Sequence, residues 1–346
     1  MQQGVRTIRH SLEIESFVPA FPHGRFAPSP TGLLHVGSAR TALVAWLSAQ
    51  SAGGCLTLRI EDLDTQRTVH GLARQIADDL AWLGIDFDAS PYRGGPHAPY
   101  RQSARASHYE KALEVLHRAG HLFPCRVSRK DLRNLASAPH GTDQGVPYPA
   151  HLRPTTLDAD WFMTTENAAI RFLVPDRTVS FSDRLRGPKT ENVSRVVGDF
   201  VLKRRDGLFA YQLAVVVDDM HMGITEVTRG EDLLSSTARQ ILLIEALGGR
   251  RPNYGHVPLV LNARGEKLSK RDHGLTLAAL RGAGVESEAL VGYLAYSLGL
   301  IAEPRPTKPA DLVCSFGWNR IRGTEPWCLP EDLPATLRHH AAVLCG

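Results

Sequence analysis

Two short segments that lie more than two hundred residues apart carry residue types suited to binding the phosphates of a nucleotide. Residues 35–38 read HVGS, and residues 267–271 read KLSKR. If a helix begins after His35, its free backbone N–H groups and partial positive charge favour an anion, and Gly37 lets that anion approach the backbone. Two lysines and an arginine within five residues can offset the charge of a reacting triphosphate. Together the segments predict a site for ATP.

Each segment alone has a plainer interpretation. An HxGS sequence is often only the start of a helix whose histidine finds its partner inside the protein. The KLSKR sequence by itself is typical of a solvated basic turn. The prediction of a nucleotide site therefore depends on the two segments occurring together, in this order.

The hydrophobic pattern predicts the elements that must position these segments. In the first half we expect strands over 24–27 and 55–60 and helices over 36–51, 71–83 and 104–119. Alternating strands and helices favour an α/β fold with a doubly wound parallel sheet. Ligands bind beyond the carboxyl ends of the strands in such a sheet. This edge would bring Glu61, after the second strand, close to HVGS.

The second half is predicted to contain strands over 170–174, 200–203, 208–217 and 256–261 and helices over 231–247, 275–283 and 287–298. Residues 204–207 (RRDG) are typical of a hairpin turn between two of these strands. After residue 302 prolines are frequent and the apolar pattern fades. The tryptophans of this tail, Trp318 and Trp327, either dock on the core or are loosely ordered.

These patterns divide the chain into six predicted regions. They are an N-terminal extension (1–23), the first half of a nucleotide-binding domain (24–125), an insertion (126–169), the second half with the KLSKR loop (170–274), a helical stem (275–302) and a tail of unknown role (303–346). The insertion is marked by frequent Pro, Gly, Ser, Thr and His and by weak periodicity.

Composition sets further bounds. The chain has 346 residues, 43% of them hydrophobic, which is ordinary for a globular protein with a sizeable core. No apolar run of membrane-spanning length and no secretory leader are apparent. Five scattered cysteines without a CxxC pair fit a reducing compartment, so we expect a cytoplasmic location. A net charge of +4, mostly from arginine, is compatible with nucleic acid without demonstrating it.

Beyond HVGS and KLSKR, the chain resembles the glutamyl branch of the class I aminoacyl-tRNA synthetases. The residues that carry this resemblance are RFAPSPTG (25–32), LRIEDLD (58–64), GDFVLK (198–203), DG (206–207), YQLAVVVDD (211–219) and TRGEDLLSST (228–237). The likeness runs from about Gly24 to Leu300. It implies a Rossmann-like class I catalytic sheet with an inserted acceptor-type subdomain and a short helical C-terminal region.

Length distinguishes two kinds of synthetase within this branch. A full glutamyl-tRNA synthetase adds a large helical anticodon-binding region after KLSKR, for which this chain leaves no room. The chain therefore looks like the truncated relatives, the glutamyl-Q tRNA(Asp) synthetases. The segment GLFAYQL (207–213) also resembles their sequences more than those of the full-length enzymes. That resemblance implies a ligase that activates L-glutamate with ATP and Mg²⁺. It would then transfer the glutamyl group to queuosine at the wobble position of tRNA(Asp), and we expect a monomer.

The resemblance also implies roles for single residues. His35 and Lys270 would be catalytic, and ATP would contact His35, Gly37, Ser38, Lys267, Ser269 and Lys270. Glutamate would contact Arg25, Phe26, Ala27, Pro28, Ser29, Glu61, Tyr211 and Arg229. In this assignment the arginines take carboxylates through their fork geometry, Glu61 takes the α-ammonium group, and Tyr211 and Ser29 add hydrogen bonds. Without the resemblance, a surface ion pair explains Glu61 or Arg229 equally well.

The chain departs from the branch at its structural zinc site. The family pattern places a C-x-C pair, then a tyrosine and a further cysteine, in the insertion. Here Cys125 is followed by Val127, and Tyr148 by Leu152 where the last cysteine is expected. One thiolate and one tyrosine do not complete a tetrahedral site. We therefore expect no zinc and interpret Cys125 and Tyr148 as remnants, with His140 and His151 as the alternative ligands.

Three other functions remain open at this point. A shortened glutamyl-tRNA synthetase would charge the terminal adenosine of tRNA(Glu), and a retired paralogue would only bind tRNA. A general nucleotidyltransferase would share a His-containing phosphate motif but would not explain Glu61, Tyr211 and Arg229 together.

Overall fold

The computed structural model describes residues 21–127, 147–157, 160–164, 167–268, 272–322 and 325–342. Its strands are β1 (His23–Phe26), β2 (Cys55–Leu58), β3 (Leu122–Cys125), β4 (Ala169–Phe172), β5 (Thr178–Asp183), β6 (Gly187–Asn192), β7 (Phe200–Lys203), β8 (Glu226–Gly230), β9 (Asn253–Val257), β10 (Val260–Leu261) and β11 (Trp327–Cys328). Its α-helices are α1 (Val36–Ser51), α2 (Leu72–Trp82), α3 (Ala106–Arg118), α4 (Trp161–Thr164), α5 (Val193–Val196), α6 (Tyr211–His221), α7 (Thr237–Ala246), α8 (Leu277–Gly282), α9 (Ser287–Ser297), α10 (Pro309–Leu312) and α11 (Leu333–Ala342). Most of the predicted elements are confirmed to within a few residues.

The central sheet has the strand order β2–β1–β8–β9–β5–β6. All neighbours in it are parallel except β5 and β6. The chain runs from β1 to β2 on one side, whereas β8 and β9 lie on the other side of β1. The strand order thus reverses between β1 and β8, and a crevice opens beyond their carboxyl ends. The predicted α/β fold with a doubly wound parallel sheet is confirmed.

Helix α1 packs against this sheet and is buried on nearly every side. Its run of Ala, Val and Leu suits both the helix and the surrounding core. Arg40 is buried within it and donates to the Pro258 carbonyl and to the hydroxyl and carbonyl of Ser297, each over 3.0 Å. Because these partners are neutral, burial lowers the pKa of Arg40 to about 10. Arg40 thereby ties the HVGS helix to α9 and to the loop after β9.

A second, antiparallel sheet has the strand order β3–β4–β7. Chain segments on both sides of the predicted insertion form it. It contributes Phe172, Phe200 and Leu202 to an apolar core shared with α3, α6 and α7. The domain boundaries proposed from sequence remain predictions, and most of the insertion, including His140, lies outside the described residues.

The predicted strand over 208–217 is wrong. Residues 211–221 form α6, and only Phe209 makes a strand-like bridge, to Lys203. The run LAVVV (213–217) is rich in β-branched residues, which favour strands, but all five residues are buried. Tertiary packing on every face therefore outweighs local propensity here.

The tail docks on the catalytic sheet. Strand β11 pairs with β10, and the indole Nε1 of Trp327 donates to the Tyr293 hydroxyl over 3.2 Å. The indole of Trp318 donates to Ser48 and fills the space that a Cβ at Gly255 would occupy. Of the two possibilities left open for the tryptophans, docking is the one observed. In the described part of the chain, no helix combines the length and apolarity needed to cross a membrane.

Candidate active site

A cavity of about 1070 Å³ opens beyond the carboxyl ends of β1, β8 and β9. Twelve residues predicted for the site line it: Arg25, Phe26, Ala27, Pro28, Ser29, His35, Gly37, Ser38, Glu61, Tyr211, Arg229 and Lys267. The remaining two, Ser269 and Lys270, lie outside the described residues. The structure therefore brings together side chains that are far apart in sequence, while their individual roles stay predictions.

His35 is the N-cap of α1. Its Nδ1 accepts a hydrogen bond from the Ser38 backbone N–H over 3.2 Å. A ring nitrogen that accepts is unprotonated, so in the neutral ring Nε2 carries the proton. Burial lowers the pKa of His35, with Asp232 opposing and Lys267 reinforcing this shift. That Nε2–H faces the Ser38 hydroxyl over 3.2 Å, so the cap leaves a neutral imidazole whose one N–H donor lies with Ser38 at the cavity wall.

Gly37 makes room for this ring. A Cβ at Gly37 would lie 3.1 Å from the His35 ring and 3.4 Å from Val260. The sequence interpretation gave Gly37 a role in letting phosphate approach. The structure adds a second reason for glycine, because the ring of the preceding histidine folds back over this position.

Arg25 lies at the point where the strand order reverses. From β1 its Nη1 donates to the Thr228 carbonyl of β8 over 3.2 Å, and its Nε lies 3.3 Å from both carboxylate oxygens of Asp219. The side chain is buried and lines the cavity. Asp219, on α6, thus sets the direction in which the guanidinium points.

A second buried arginine, Arg59, connects Asp219 to Glu61. Its Nη1 donates to Asp219 over 2.7 Å and its Nη2 to Glu61 over 3.2 Å. Burial raises the pKa of Glu61, and Arg59 and Arg25 offset part of this rise. For Asp219 burial acts in the same direction, but Arg25 and Arg59 outweigh it and lower the pKa. The cluster therefore holds two carboxylates whose pKa values are shifted in opposite directions, that of Glu61 upward and that of Asp219 downward.

Arg229 is held by neutral groups. Its Nε donates to His256 over 3.0 Å, its Nη1 to Gln240 over 2.7 Å, and its Nη2 to Thr237 over 3.0 Å. His256 is its register partner on β9, and the far side of that ring contacts Asp183 over 2.6 Å. No carboxylate touches this guanidinium among the residues that the structure describes. A buried cation with only neutral contacts suits an anionic ligand.

Tyr211 begins α6 and faces the same cavity. Burial, reinforced by the Glu61 carboxylate, raises the pKa of its phenol. The group is therefore a neutral hydroxyl, able to donate one hydrogen bond to a ligand oxygen.

The side of the cavity near the KLSKR segment is bounded by an ion pair. Lys267 Nζ lies 2.7 Å from the Asp232 carboxylate, and both side chains are substantially exposed. The buried Asn262 closes the turn before Lys267, because its Oδ1 accepts from the backbone N–H groups of Arg264 and Glu266. Lys267 is thus presented from a fixed turn at the start of the KLSKR segment.

Sequence reasoning missed the residues that hold the predicted ones in place. They are Arg59, Asp183, Asp219, Asp232, Gln240 and His256. The sequence did contain a signal for Asp219. Two carboxylates end the apolar run LAVVVDD (213–219), and charges next to a buried run require partners. Nothing in the sequence alone indicated that Asp219 pairs with Arg25 and Arg59.

The predicted zinc remnants form a small apolar cluster instead of a ligand set. The Tyr148 hydroxyl donates to the Leu152 carbonyl over 3.0 Å, and the Cys125 thiol lies 3.6 Å from that hydroxyl. Val127 and Leu152 pack against them. Within the described ranges no group of three or more His, Cys, Asp or Glu side chains is arranged to hold a metal. These residues do not fit a tetrahedral Zn²⁺ site.

Comparison with known families agrees with this geometry. Residues 23–303 match the family model described as tRNA synthetases class I (E and Q), catalytic domain. Among solved structures, a glutamate tRNA ligase from Elizabethkingia meningosepticum, determined in complex with its amino acid, aligns with a TM-score of 0.79. It is 31% identical and the match covers 91% of this chain and 68% of that one.

Curated relatives separate the branches further. The glutamyl-Q tRNA(Asp) synthetase of Symbiobacterium thermophilum is 48% identical over 91% of this chain and 98% of its own length. That of Geobacter sulfurreducens is 43% identical over 94% and 99%. A glutamate–tRNA ligase of Sulfurihydrogenibium is 41% identical, but the match covers 78% of this chain and only 57% of the ligase. The chain therefore belongs to the glutamyl-Q tRNA(Asp) synthetases, within the class I tRNA synthetases for glutamate and glutamine.

Proposed function

We propose that the protein activates L-glutamate with ATP and transfers the glutamyl group to queuosine at the wobble position of tRNA(Asp). One observation carries the first half of this proposal. Two buried arginines, Arg25 and Arg229, face the same cavity as Glu61 and the His35-capped end of α1. This arrangement offers cations for carboxylates, an anion for an ammonium group and a helix N-terminus for phosphate.

Glutamate occupies the floor of the cavity in this proposal. Arg229 receives the side-chain carboxylate together with Arg25 and the Tyr211 hydroxyl, since these donors face one space. Glu61 accepts from the α-ammonium group. Its partner Arg59 keeps the carboxylate in place and offsets part of the rise in its pKa that burial causes. Phe26, Ala27 and Pro28 form the wall against the aliphatic chain, and Ser29 adds a hydrogen bond near the mouth.

The first chemical step needs no protein nucleophile. A carboxylate oxygen of glutamate attacks the α-phosphorus of ATP, the bond to the bridging oxygen breaks, and that oxygen leaves with its electron pair as part of pyrophosphate. The products are glutamyl-adenylate and pyrophosphate. ATP enters as its Mg²⁺ complex, so the metal is part of the substrate. His35 donates from Nε2 to phosphate oxygens, and Lys267 and Lys270 offset the charge that moves onto pyrophosphate.

In the second step a hydroxyl of the cyclopentene diol of queuosine attacks the carbonyl carbon of the adenylate. The mixed-anhydride bond breaks, AMP leaves with the electron pair, and the hydroxyl proton passes to solvent or phosphate. The choice of acceptor is supported by the relatives' names and by the share of each relative that the match covers. The match leaves much of the glutamate–tRNA ligase of Sulfurihydrogenibium uncovered, but spans nearly the whole of two glutamyl-Q tRNA(Asp) synthetases. We further propose that the protein acts as a cytoplasmic monomer.

A charging assay tests the proposal. The protein is incubated with ATP, radiolabelled glutamate and one of three RNAs: tRNA(Asp) with queuosine, tRNA(Asp) without it, or tRNA(Glu). We expect label on the first RNA alone, and periodate treatment of the diol beforehand should abolish it. Equal labelling of queuosine-free tRNA(Asp), or preference for tRNA(Glu), would identify a shortened glutamyl-tRNA synthetase instead.

Glutamate-dependent exchange of pyrophosphate into ATP, measured without tRNA, addresses the remaining alternative. Exchange that depends on glutamate supports adenylate formation. Its absence in correctly folded protein would indicate a paralogue that has lost activity and only binds tRNA.

A further inference from the structure

A second depression, of about 570 Å³, lies between α2 and α8. It is lined by Gly71, Arg74, Gln75, Asp78, Asp79, Ala278, Arg281 and Gly282. The same two helices border the active-site cavity, because Leu72 and Ile76 of α2 and Thr276, the N-cap of α8, line that cavity. We call this depression the α2–α8 groove. It lies beside the active-site cavity without sharing a lining residue with it.

An aromatic ring stands at the end of the groove. The Cζ atom of Arg74 lies 5.1 Å from the centre of the Tyr92 ring, and that of Arg101 lies 5.6 Å away. Arg101 also donates to the Tyr92 hydroxyl over 3.2 Å. Tyr92 is nevertheless 39% exposed. Ring and guanidinium groups thus form a stacked platform open to solvent.

The ring is presented from a fixed turn. Ser90 and Gly94 exchange two backbone hydrogen bonds, and the Ser90 hydroxyl accepts from the backbone N–H groups of Tyr92 and Arg93. Gly94 has a φ of +80°, a conformation that favours glycine. A platform held in this way loses little conformational entropy when a ligand stacks on it.

The groove carries charges of both signs. Arg74 and Arg281 line it together with Asp78 and Asp79, and Arg101 lies beside the Tyr92 ring. Among the acidic groups, Asp78 pairs with Arg74 over 2.9 Å, and Asp62 lies 3.8 Å from Arg101. The carboxylate Asp79 also lines the groove, and this residue is only 3% exposed. Among the described residues its Oδ2 has no hydrogen-bond partner. A buried acceptor without a donor indicates a place for a ligand N–H or O–H group.

We propose that the α2–α8 groove and the Tyr92 platform bind an unpaired nucleotide of the RNA substrate, next to the one that enters the active site. This inference rests on the proposed function, since it presumes an RNA acceptor. The base stacks on Tyr92 and the Arg74 guanidinium, the phosphate contacts Arg74 or Arg281, and Asp79 accepts from the base or the ribose hydroxyl. Stacking on aromatic and arginine planes is how proteins hold unstacked bases of RNA loops.

Binding of fluorescently labelled tRNA(Asp) tests this proposal. Replacement of a stacking aromatic costs about 1–3 kcal/mol per base, so we expect Tyr92→Ala to raise the Kd about tenfold. Tyr92→Phe keeps the ring and should stay within about twofold of the wild type. Arg74→Ala should weaken binding and reduce the slope of log Kd against log salt by about one.

A matched control is available on α3. Arg118 pairs with Glu114 at i,i+4, with exposures of 63% and 52%, much as Arg74 pairs with Asp78, with 66% and 52%. Arg118→Ala therefore removes an equivalent surface charge away from the groove and should leave the Kd unchanged. An equal loss in Arg118→Ala would show that only general electrostatics is at work and would overturn the proposal. So would an unchanged Kd in both Tyr92→Ala and Arg74→Ala.

Glutamate-dependent exchange of pyrophosphate separates this inference from the proposed function. It needs no RNA, so we expect it to be unaltered in the Tyr92 and Arg74 variants, which also shows that they are folded. If the wild-type protein binds RNA through Tyr92 but transfers no glutamate to it, the proposed function fails and the groove stands. If transfer occurs and the variants bind normally, the groove fails and the function stands.

Discussion

The Nε atom of Arg229 donates a hydrogen bond to Nε2 of His256 over 3.0 Å, in the buried wall of the active-site cavity. The accepting nitrogen must be unprotonated, so the ring carries its proton on Nδ1, facing Asp183 over 2.6 Å. Burial first, and then the nearby Arg229, lower the pKa of His256, while Asp183 opposes them. The relay from Asp183 through a neutral imidazole fixes the direction of a guanidinium that no carboxylate touches in the described part of the chain.

Replacing Arg229 tests whether this guanidinium recognises the glutamate side chain. We expect Arg229→Ala to raise the KM for glutamate on the order of 10²-fold or more, since a desolvated charge-assisted pair is lost. ATP binding should persist, because the phosphate side of the cavity is formed by other residues. Both are measured by pyrophosphate exchange with glutamate or ATP varied. Loss of ATP binding with normal glutamate dependence would mean that the two halves of the cavity are assigned the wrong way round.

The catalytic role of Lys270 is testable in the same assay. Lys270→Ala should lower the rate of adenylate formation on the order of 10²-fold, a typical effect of losing one electrostatic contact to the transition state. Lys111→Ala, which removes an exposed lysine from α3, serves as the control for net charge. An unchanged rate for Lys270→Ala would refute the assignment.

The outline of the fold was predictable because its signals are local. Helix α1 follows from a periodic apolar run that ends at a pair of glycines, and its predicted bounds match the structure. Residues 211–217 were misassigned to a strand, because a helix buried on nearly all faces shows no amphipathic period and Val215–Val217 favour a strand. Such a segment is decided by what packs around it, which sequence alone does not specify.

The residues of the candidate site also differ in how well sequence predicts them. Twelve of the residues that face the cavity were found through resemblance to a known family, because their types and spacing recur there, whereas Arg67 and Asp232 were not. The residues behind them, such as Asp219 and His256, were not found, because their function is a contact between distant strands and helices. The docking of Trp318 on Ser48 was equally undetermined, since isolated aromatic residues in a proline-rich segment carry no periodic signal.

A cluster of three histidines makes acid stability testable. His97, His108 and His221 lie around Arg105, which donates to Nδ1 of His221 over 3.1 Å. Burial, reinforced by Arg105, lowers the pKa of His221 from 6.5 to about 4. Below pH 6.5 the unfolded chain therefore takes up a proton that the folded protein refuses until about pH 4. The stability present above pH 6.5 is lost progressively across that window.

We expect the free energy of unfolding, measured in urea, to fall as the pH is lowered from 6.5 to 4. His221→Asn, whose side-chain oxygen can still accept from Arg105, should flatten part of this fall. His70→Asn, at an exposed histidine, is the control and should leave the profile unchanged. Parallel profiles for His221→Asn and the wild type would show that another group controls acid unfolding.

Metal removal tests the interpretation of Cys125 and Tyr148. Because they contact one another, the Leu152 carbonyl, the Arg171 guanidinium and apolar neighbours, we expect EDTA to leave the melting temperature unchanged and elemental analysis to find no stoichiometric zinc. Cys125→Ala should cost about 1 kcal/mol of stability, the loss of one small buried group. A chelator-induced drop in melting temperature would show instead that His151, with ligands outside the described residues, completes a zinc site.

Asp79, which lines the α2–α8 groove, offers a prediction about stability. Burial raises the pKa of this carboxyl from 3.8 to about 6, Arg281 offsets part of the rise, and Asp78 adds to it. Between those values the folded state holds a proton that the unfolded chain has released, so stability falls as the pH rises from about 4 to 6 and stays low above it. Asp79→Asn removes the buried charge and should therefore stabilise the protein at pH 7.5 by about 1–3 kcal/mol.

The measurement is urea unfolding at pH 7.5 and pH 4. The stabilisation should be present at the first pH and shrink at the second, where the wild-type carboxyl is protonated. Asp78→Asn, at the exposed neighbour, should show no comparable gain. If Asp79→Asn is instead destabilising at pH 7.5, the carboxylate has a donor that compensates its burial, and its place as an unoccupied acceptor in the α2–α8 groove is wrong.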